Sequence, residues 1–344
     1  MEKIDFVLPW VDANDPDWQR KKQKYAKPLS NDYNKDTGVI RYRDTNTLKY
    51  ALRSIEKYCP WYNKIHLITE GHRPDWINFE HPKINLATHD ELYFDTNDLP
   101  IFSSPSIEMN LANLKGVSEH FVYLNDDFII LNPLTKERFF KNGKPVDFLI
   151  HGWIPRNMIY QILRDSSTWV KSLNNNIALI NKISSPDKIK NPKNVLFDHS
   201  YPRLGKLSNY LLLKVWKKYF FITHWHFHQP YNFSSIKKVH ELFHDSMQKC
   251  SRNRFRSAND LNQYIYRYYH LVTENFTPYY HNDGLIAKVK TIDDLNKLFK
   301  QIESDRYNFL AYFDEYKLED EDIIIDCLID YFEKKFAQKA SFEY

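Results

Sequence analysis

The stretch FVYLNDDFIIL, residues 121–131, decides the interpretation of this chain, because two adjacent acids interrupt an apolar run. The flanking residues are β-branched and aromatic, which is typical of strands. A pair of charges inside a buried strand is costly unless it is paired or binds a cation. Asp126 and Asp127 therefore predict a divalent-metal site that faces a substrate phosphate at a strand end. The alternative is a hairpin turn with solvated acids, since Asn and Asp are common turn residues.

Around this stretch, strand-like and helix-like segments alternate over the first 150 residues. The predicted strands are 4–10, 64–69, 83–88, 120–125 and 146–151. Helix starts are predicted near Asp44 or Thr45 and at Ser104 and Pro105, where the capping residues are favourable. This alternation predicts an α/β fold with a mainly parallel sheet, whose ligands bind beyond the carboxyl ends of the strands.

Residues 152–222 differ from their surroundings, because their pattern is helical and polar. We interpret them as a helical insert or lid in a catalytic core formed by residues 1–151 and 223–344. Within the second half of the core, Ser257 and Asp260 resemble a capping box that would start a helix at 258–272.

The composition argues against several classes of protein. The 42% of apolar residues is ordinary for a globular chain of 344 residues. Glycine occurs only 7 times and forms no Gly-rich phosphate motif, so a Rossmann dinucleotide enzyme or a P-loop NTPase is not expected. The net charge of +4 is too small for a dedicated nucleic-acid binder, and we expect no nucleic-acid partner.

The cysteines and the start of the chain bear on its location. Cys59, Cys250 and Cys327 are widely spaced and indicate no disulfide framework, which fits a reducing compartment. The opening residues do not resemble a signal peptide, and no apolar run is long enough to span a membrane. We therefore expect a cytoplasmic protein, with peripheral contact to a membrane left open.

Four further groups of polar residues could form one site with the acid pair. The segment 10–18, WVDANDPDW, offers carboxylates and N–H groups to a nucleotide, or is simply a helix start with capping acids. Arg41 precedes a helix start in RYRDTNTL and suits phosphate, or belongs to a surface charge cluster. Glu108 could converge with Asp126 and Asp127 on one metal and one reacting hydroxyl.

The last group is HWHFHQPYNF, residues 224–233, where three histidines alternate. Alternate residues of an extended segment face one side, so His224, His226 and His228 could bind zinc, although no Cys or Glu clearly completes such a site. A phosphate enzyme could instead use one of them as general base. The basic stretch 237–256 that follows could face a phosphate or a polyanionic substrate.

Together these segments resemble the conserved regions of the Stealth family. IDFVLPWVDANDPDW resembles the first region, HFHQPYN with RSANDLNQYIYRYYHL the third, and EKKFAQKASFE the fourth. Four segments together resemble the second region, and this match is the longest: RYRDTNTLKYALRSIEKYCPWYNKIHLITEG, THDE, LPIFSSPSIEMNL and FVYLNDDFII. The resemblance covers roughly the first 150 and the last 120 residues and leaves the insert outside it.

Stealth proteins are hexose-1-phosphoryltransferases, so the resemblance carries definite implications. It implies transfer of hexose-1-phosphate or N-acetylhexosamine-1-phosphate from a UDP-sugar to an acceptor sugar hydroxyl, giving a phosphodiester and UMP. It implies a glycosyltransferase-A-like nucleotide-sugar fold and a divalent metal, Mg²⁺ or Mn²⁺. The expected acceptor is an oligosaccharide or lipid-linked glycan of capsular or cell-surface polysaccharide synthesis, at the cytoplasmic face of the inner membrane.

The family's active-site pattern falls on particular positions of this chain. The implied catalytic residues are Glu108, Asp127, His226 and Arg256, with His228 at a position that often holds proline. The expected metal ligands are Asp126 and Asp127. The residues expected to bind the donor are Trp10, Asp12, Asn14, Asp15, Arg41, Asp44 and Asn125. In the fourth region Phe313 replaces the usual Asn, so that only Asp314 fits the Asn-Asp pair.

These residues yield a mechanistic hypothesis and two rivals. Glu108 or His226 accepts the proton of the acceptor hydroxyl, and His226 is preferred because an unperturbed imidazole titrates near ~6.5. Arg256, together with Arg41, stabilises the transferred phosphoryl group. One rival is a metal-dependent glycosyltransferase of the same fold, which would release UDP. The other is a non-catalytic glycan-binding protein whose many aromatic residues stack on sugars.

Overall fold

The computed structural model describes residues 2–26, 46–153 and 168–344. Its strands are β1 (Ile4–Pro9), β2 (Ile65–Thr69), β3 (Ile84–Thr88), β4 (His120–Tyr123), β5 (Phe128–Ile130), β6 (Phe140–Lys141), β7 (Lys144–Asp147), β8 (Gln229–Asn232), β9 (Thr277–Pro278), β10 (Gly284–Val289) and β11 (Phe309–Asp314). Its α-helices are α1 (Pro16–Tyr25), α2 (Thr47–Tyr58), α3 (His89–Leu92), α4 (Ser104–Glu108), α5 (Thr168–Ile183), α6 (Pro192–Leu196), α7 (Arg203–Leu211), α8 (Phe233–Leu242), α9 (His244–Ser251), α10 (Tyr264–Val272), α11 (Ile292–Ile302) and α12 (Glu321–Lys335).

The central sheet has five strands in the order β3-β2-β1-β4-β8. Its first four strands are mutually parallel, and β8 joins the edge antiparallel to β4. Strands β1 and β2 are almost entirely buried, as their continuous apolar runs predict for a parallel sheet covered on both faces. The prediction of an α/β fold with a mainly parallel sheet is confirmed.

The acid pair lies where the chain passes from one sheet to another. Strand β4 belongs to the central sheet, whereas β5 pairs with β11 in a three-stranded sheet of order β10-β11-β5. The turn between them begins at Asn125, whose carbonyl accepts the Phe128 N–H at 3.2 Å. The acids therefore neither interrupt a single strand nor form a hairpin, because their two flanking strands join different sheets.

Four of the five predicted strands form, but the prediction of a strand at 146–151 is wrong beyond Asp147. There the Asp147 Oδ1 accepts the Phe148 N–H at 2.7 Å, and the Arg267 guanidinium donates to the Phe148 carbonyl at 3.1 Å. Side chains thus satisfy the backbone groups that a further β-ladder would otherwise use.

The first predicted helix forms with its expected apolar face buried. Leu48, Ala51, Leu52 and Ile55 of α2 are all buried, whereas the proposed capping residues Asp44 and Thr45 lie outside the described residues. The helix predicted at Ser104 and Pro105 is α4, which is only five residues long.

The helix predicted over 258–272 begins later, at Tyr264. One hydrogen bond of the predicted capping box is present, since the Ser257 N–H donates to Asp260 Oδ2 at 2.8 Å. However, the amide groups of Asn175 and Asn176 on α5 donate to backbone carbonyls of residues 258–262, at distances of 2.8 to 3.2 Å. Those carbonyls therefore accept hydrogen bonds from α5 instead of from N–H groups within a helix, and the helix starts only at Tyr264.

The segment predicted as an insert is helical and packs tightly on the core. It carries α5, α6, α7 and a π-helical turn, Leu212–Trp216. Leu173, Ile177 and Ile180 of α5 belong to the same buried cluster as Phe121 of β4 and Ile265 of α10. Helix α5 therefore shares a hydrophobic core with the central sheet.

A buried ion pair joins α10 to the places where the insert leaves and rejoins the core. Arg267 is 1% exposed and donates to both carboxylate oxygens of Asp147, at 2.7 and 2.8 Å. The same guanidinium donates to the carbonyls of Thr223 and Phe148. This planar donor group therefore ties one helix to both junctions of the insert.

We expect Arg267→Met to lower the free energy of unfolding by about 3 to 5 kcal/mol, because it leaves the Asp147 carboxylate buried without its cation. The measurement is urea denaturation followed by circular dichroism. Arg306→Met is the control, since Arg306 is exposed and should change stability by less than about 0.5 kcal/mol. Equal, small effects of both substitutions would contradict a structural role for the ion pair.

Candidate active site

A cavity opens between α4, the turn after β4, α5 and the start of α10. Its cavity volume is about 80 Å³. Four of the sequence-predicted site residues line it, namely Glu108, Asn125, His226 and Arg256. The remaining lining residues are Ser104, Pro105, Thr168, Trp169, Ser172, Asp260, Asn262, Gln263 and Tyr264. Tertiary folding thus brings together residues from five separate stretches of the chain.

Glu108, the last residue of α4, is only 7% exposed. Its Oε2 accepts the Gln263 N–H at 2.7 Å, and its Oε1 accepts the Tyr123 hydroxyl at 3.3 Å. Burial raises the pKa of Glu108 to about 7, against the lowering effects of these hydrogen bonds and of Arg256. A carboxyl group with this pKa exchanges protons readily near neutral pH.

Arg256 supplies positive charge to the same cavity. Its Nη2 donates to the Ser104 hydroxyl at 3.1 Å, and its charge lowers the pKa of both Glu108 and Asp260. Burial nevertheless raises the pKa of Asp260 to about 6. An arginine beside two carboxyl groups of raised pKa retains donors for an incoming anion.

His226 borders the cavity from the segment that precedes β8. Its Nδ1 is hydrogen-bonded to the Tyr264 hydroxyl at 2.8 Å, and its ring stacks on Phe313 at 5.7 Å between centroids. Burial lowers the pKa of His226 to about 4, so the imidazole is neutral at pH 7. The expectation that its pKa lies near that of free imidazole is wrong, and Glu108 has the pKa nearer neutrality.

The other two histidines have different surroundings. His224 packs between Trp169 and Tyr264, beside His226. His228 is 2% exposed, lies against Phe309 and does not line the cavity. Burial and the charge of Arg138 lower its pKa to about 3. Its proposed catalytic role stays a prediction that no contact with the cavity supports.

Asp127 lies next to this cavity, in the turn after Asn125. Its Oδ1 is buried and has no hydrogen-bond partner among the described residues. Burial raises the pKa of Asp127 well above its ordinary value, and the charges of Asp126 and Asp314 raise it further. A buried carboxylate with an unsatisfied oxygen and two acidic neighbours is a favourable environment for a cation.

Asp314 reaches the acid pair because of the pairing of β11 with β5. The Tyr312 N–H donates to the Asp127 carbonyl at 3.1 Å, so the end of β11 runs beside the acidic turn. The sequence indicated Asp314 only through the incomplete Asn-Asp pair of the fourth region. Phe313, which occupies the position of the usual Asn, packs on His226 instead.

The metal site expected from three converging carboxylates does not form as predicted. Within residues 2–26, 46–153 and 168–344, no group of three or more His, Cys, Asp or Glu side chains could hold a metal ion. Glu108 is instead held by Gln263 and Tyr123, beside Arg256. A histidine zinc site is likewise not found in this part of the chain. Asp126 and Asp127 supply carboxylate oxygens, the ligand type that would suit Mg²⁺ if the substrate brought further oxygen ligands.

The predicted donor-binding residues after β1 form a separate cluster. Asp15 caps α1 by accepting the Asp17 N–H at 2.8 Å, and its other oxygen lies 3.0 Å from His72 Nε2. Asp12 accepts the Asn14 N–H at 2.9 Å. The structure thus includes the capping turn that was the alternative interpretation. Because β1 and β4 are parallel neighbours, this turn and the acid pair emerge at the same edge of the sheet.

Two further donor-binding predictions and one missed group complete the site. Arg41 and Asp44 lie outside the described residues, whereas Trp10 is partly buried with its ring 6.0 Å from that of His72. The contribution of α5 was missed, although Trp169 packs its ring 6.2 Å from that of His226. The only signal was the helical pattern of the insert, which does not say which helix faces the cavity.

The fold and the cavity define an α/β protein with an acidic candidate active site at the carboxyl edge of a parallel sheet. Two conserved regions of known proteins match this framework: Stealth protein conserved region 1 over residues 2–27 and conserved region 2 over residues 41–147. Full-length relatives agree with these matches. The chain belongs to the Stealth family.

Its relatives include several bacterial polysaccharide phosphotransferases. The capsular polysaccharide phosphotransferase WcwK of Streptococcus pneumoniae is 35% identical, over 100% of this chain and 98% of the relative. The receptor polysaccharide phosphotransferase WefC of Streptococcus oralis is 29% identical over the full length of both chains. The exopolysaccharide phosphotransferase cps2G of Lactiplantibacillus plantarum is also 29% identical, over 99% of this chain and 96% of the relative.

Similar solved structures are glycosyltransferases, at low similarity. The galactosyltransferase LgtC, in complex with donor and acceptor sugar analogues, has a TM-score of 0.40 and 9% identity, over 94% of this chain and 95% of its own. Mouse xyloside xylosyltransferase 1 has a TM-score of 0.38 and 8% identity, over 90% of this chain and 97% of its own.

No helix among the described residues has both the length and the apolar character needed to cross a membrane.

We expect the stability of the protein to depend on pH through Glu108. An acid whose pKa is raised on folding binds more protons in the native state, so its contribution to stability is complete below the unfolded-state pKa and declines as pH rises. The decline should span pH 4.5 to about 7. Over that window the wild type should lose roughly 3 kcal/mol relative to Glu108→Gln.

The measurement is the free energy of unfolding of both proteins at several pH values. Glu241→Gln, on the exposed face of α8, is the control and should follow the wild-type curve. Parallel curves for the wild type and Glu108→Gln would contradict the raised pKa of Glu108.

Proposed function

We propose that this protein transfers a hexose-1-phosphate or N-acetylhexosamine-1-phosphate group from a UDP-sugar to a hydroxyl of an acceptor sugar. The observation that carries the proposal is the convergence of Glu108, His226 and Arg256 on one cavity, with Asp127 two residues after the lining residue Asn125. Relatives of the same length are phosphotransferases of bacterial surface polysaccharides, which supports capsular or cell-surface polysaccharide synthesis as the setting.

The proposed reaction forms one bond at phosphorus and breaks another. The acceptor hydroxyl oxygen attacks the β-phosphorus of the UDP-sugar, and the bond from this phosphorus to the oxygen bridging to the α-phosphate breaks. UMP leaves, and the sugar-1-phosphate remains joined to the acceptor as a phosphodiester. The Arg256 guanidinium, with donors facing the cavity, stabilises the charge on the transferred group.

Glu108 is the proposed general base. Its pKa of about 7 matches a proton transfer near neutral pH better than the pKa of about 4 of His226. His226 stays neutral, and its Nε2 is the ring nitrogen not engaged by Tyr264. In this assignment His226 hydrogen-bonds the substrate, and the proton of the acceptor hydroxyl passes to the Glu108 carboxylate.

Asp127 and Asp126 are the proposed ligands of a divalent cation, Mg²⁺ or Mn²⁺. Such an ion, when bound, neutralises negative charge on a diphosphate. The proposed partners are a UDP-sugar and an oligosaccharide or lipid-linked glycan acceptor. The proposed location is the cytoplasm, with peripheral association at the inner face of the membrane.

The released nucleotide separates this proposal from its rivals. With Mg²⁺, a panel of UDP-hexoses and UDP-N-acetylhexosamines, and a sugar acceptor, we expect UMP and a phosphodiester product. Asp127→Asn and Arg256→Gln should each lower the rate at least ~100-fold, because the first weakens binding of the proposed cation and the second removes positive charge from the transferred phosphoryl group. Asp245→Asn is the control, since Asp245 is 95% exposed on α9.

Nucleotides are measured by chromatography and the product by mass spectrometry. Release of UDP would instead identify a glycosyltransferase. Donor binding without release of either nucleotide, for every sugar and acceptor in the panel, would favour a glycan-binding protein.

The pH dependence of kcat/KM identifies the base. With Glu108 as base, kcat/KM should fall about tenfold per pH unit below pH 7, because the protonated carboxyl cannot accept a proton. Glu108→Gln should have a low rate without this dependence. A wild-type profile that stays level down to the pKa of His226, about 4, would assign the base to His226 instead.

A further inference from the structure

Helix α7 and the π-helical turn Leu212–Trp216 present an unusual surface to solvent. On the inner side of α7, Gly205, Ser208 and Asn209 are buried against the core. The opposite side should be polar in a surface helix of a globular protein. Instead it is apolar, and the exposed fractions are 68% for Leu204, 48% for Leu207, 51% for Tyr210, 61% for Val215 and 48% for Trp216.

Basic residues are interleaved with these apolar side chains. They are Arg203, Lys206, Lys214, Lys217 and Lys218. No acidic residue occurs between positions 203 and 218, so this segment carries a formal charge of +5. Exposed Leu, Tyr and Trp beside Lys and Arg are typical of helices that lie in a membrane interface, with their basic side chains reaching the headgroups.

The surface is firmly attached to the core. The Asn209 amide donates to the carbonyls of Leu149 and Leu196, at 2.7 and 2.8 Å, and accepts the His151 N–H at 2.8 Å. Beyond the π-turn, the Asn181 amide donates to the Tyr219 carbonyl at 2.8 Å. Because Asn181 lies on α5, which also lines the cavity, the helical insert joins this surface to the candidate active site.

We propose that the outer face of α7 and the following π-turn is a docking surface for an anionic lipid bilayer. The apolar side chains enter the acyl boundary, and the five basic side chains pair with lipid phosphates. Charge complementarity selects this occupant, because a second copy of the chain would bring the same positive charge to the same face. This proposal rests on the membrane association included in the proposed function but not on the transfer reaction, so vesicle binding and nucleotide release can fail separately.

Vesicle sedimentation tests the proposal with the full chain. We expect binding to phosphatidylcholine vesicles containing phosphatidylglycerol, and much weaker binding to phosphatidylcholine alone or at high salt. The triple variant Leu207→Ser, Tyr210→Ser, Trp216→Ser should bind the anionic vesicles at least ~10-fold more weakly. The control is Ile286→Ser with Ile323→Ser, which removes equally exposed apolar side chains elsewhere.

A second variant, Lys214→Glu with Lys217→Glu and Lys218→Glu, tests the same surface if the triple apolar variant does not fold. It should also lose vesicle binding while keeping the wild-type melting temperature. Absence of binding to anionic vesicles, or equal loss in the isoleucine control, would overturn the proposal. So would a dimer of the wild type that the triple apolar variant converts to monomer, since this face would then bind a second copy.

Discussion

The candidate site depends on the buried ion pair between Arg267 and Asp147. Arg267 belongs to α10, whose first turn places Tyr264 against His226 and follows the Gln263 N–H that binds Glu108. The same guanidinium holds the carbonyls of Phe148 and Thr223, at the two junctions of the insert. Since a buried carboxylate requires its cation, this pair permits little movement of α10 relative to the sheet. We therefore expect Arg267 to help hold Gln263 and Tyr264, at the start of α10, in place at the cavity.

Burial also sets the protonation states of the groups around the cavity. The same desolvation that raises the pKa of Glu108 to about 7 lowers the pKa of His226 to about 4, because burial disfavours the charged form of each. At neutral pH the histidine is therefore uncharged, while the glutamate is poised between its two forms. Burial raises the pKa of Asp127, and one of its carboxylate oxygens has no hydrogen-bond partner among the described residues, a cost that a bound cation would relieve. These protonation states support the proposed binding of a phosphate-bearing donor together with a divalent cation.

The helical insert gives the molecule a second surface. Helix α5 contributes Trp169 to the cavity, and α7 carries its exposed apolar side chains on the side away from the core. In the two proposals, one face of this insert serves the reaction and the other the membrane. An acceptor attached to lipid would meet an enzyme already bound to the surface on which that acceptor lies.

Local patterns of the sequence determined the parallel strands, the buried face of α2 and the acid pair, because strand and helix periodicity depend on neighbours along the chain. The resemblance to the Stealth family also pointed to Glu108, His226 and Arg256, which the cavity then unites. Periodicity could not show that the strand predicted at 146–151 ends at Asp147, since one of the competing hydrogen bonds comes from distant Arg267. Only the tertiary structure decided the pKa values, the approach of Asp314 to Asp127 and the cavity lining from α5. Each of these depends on burial and on contacts between residues far apart in sequence, which no local pattern encodes.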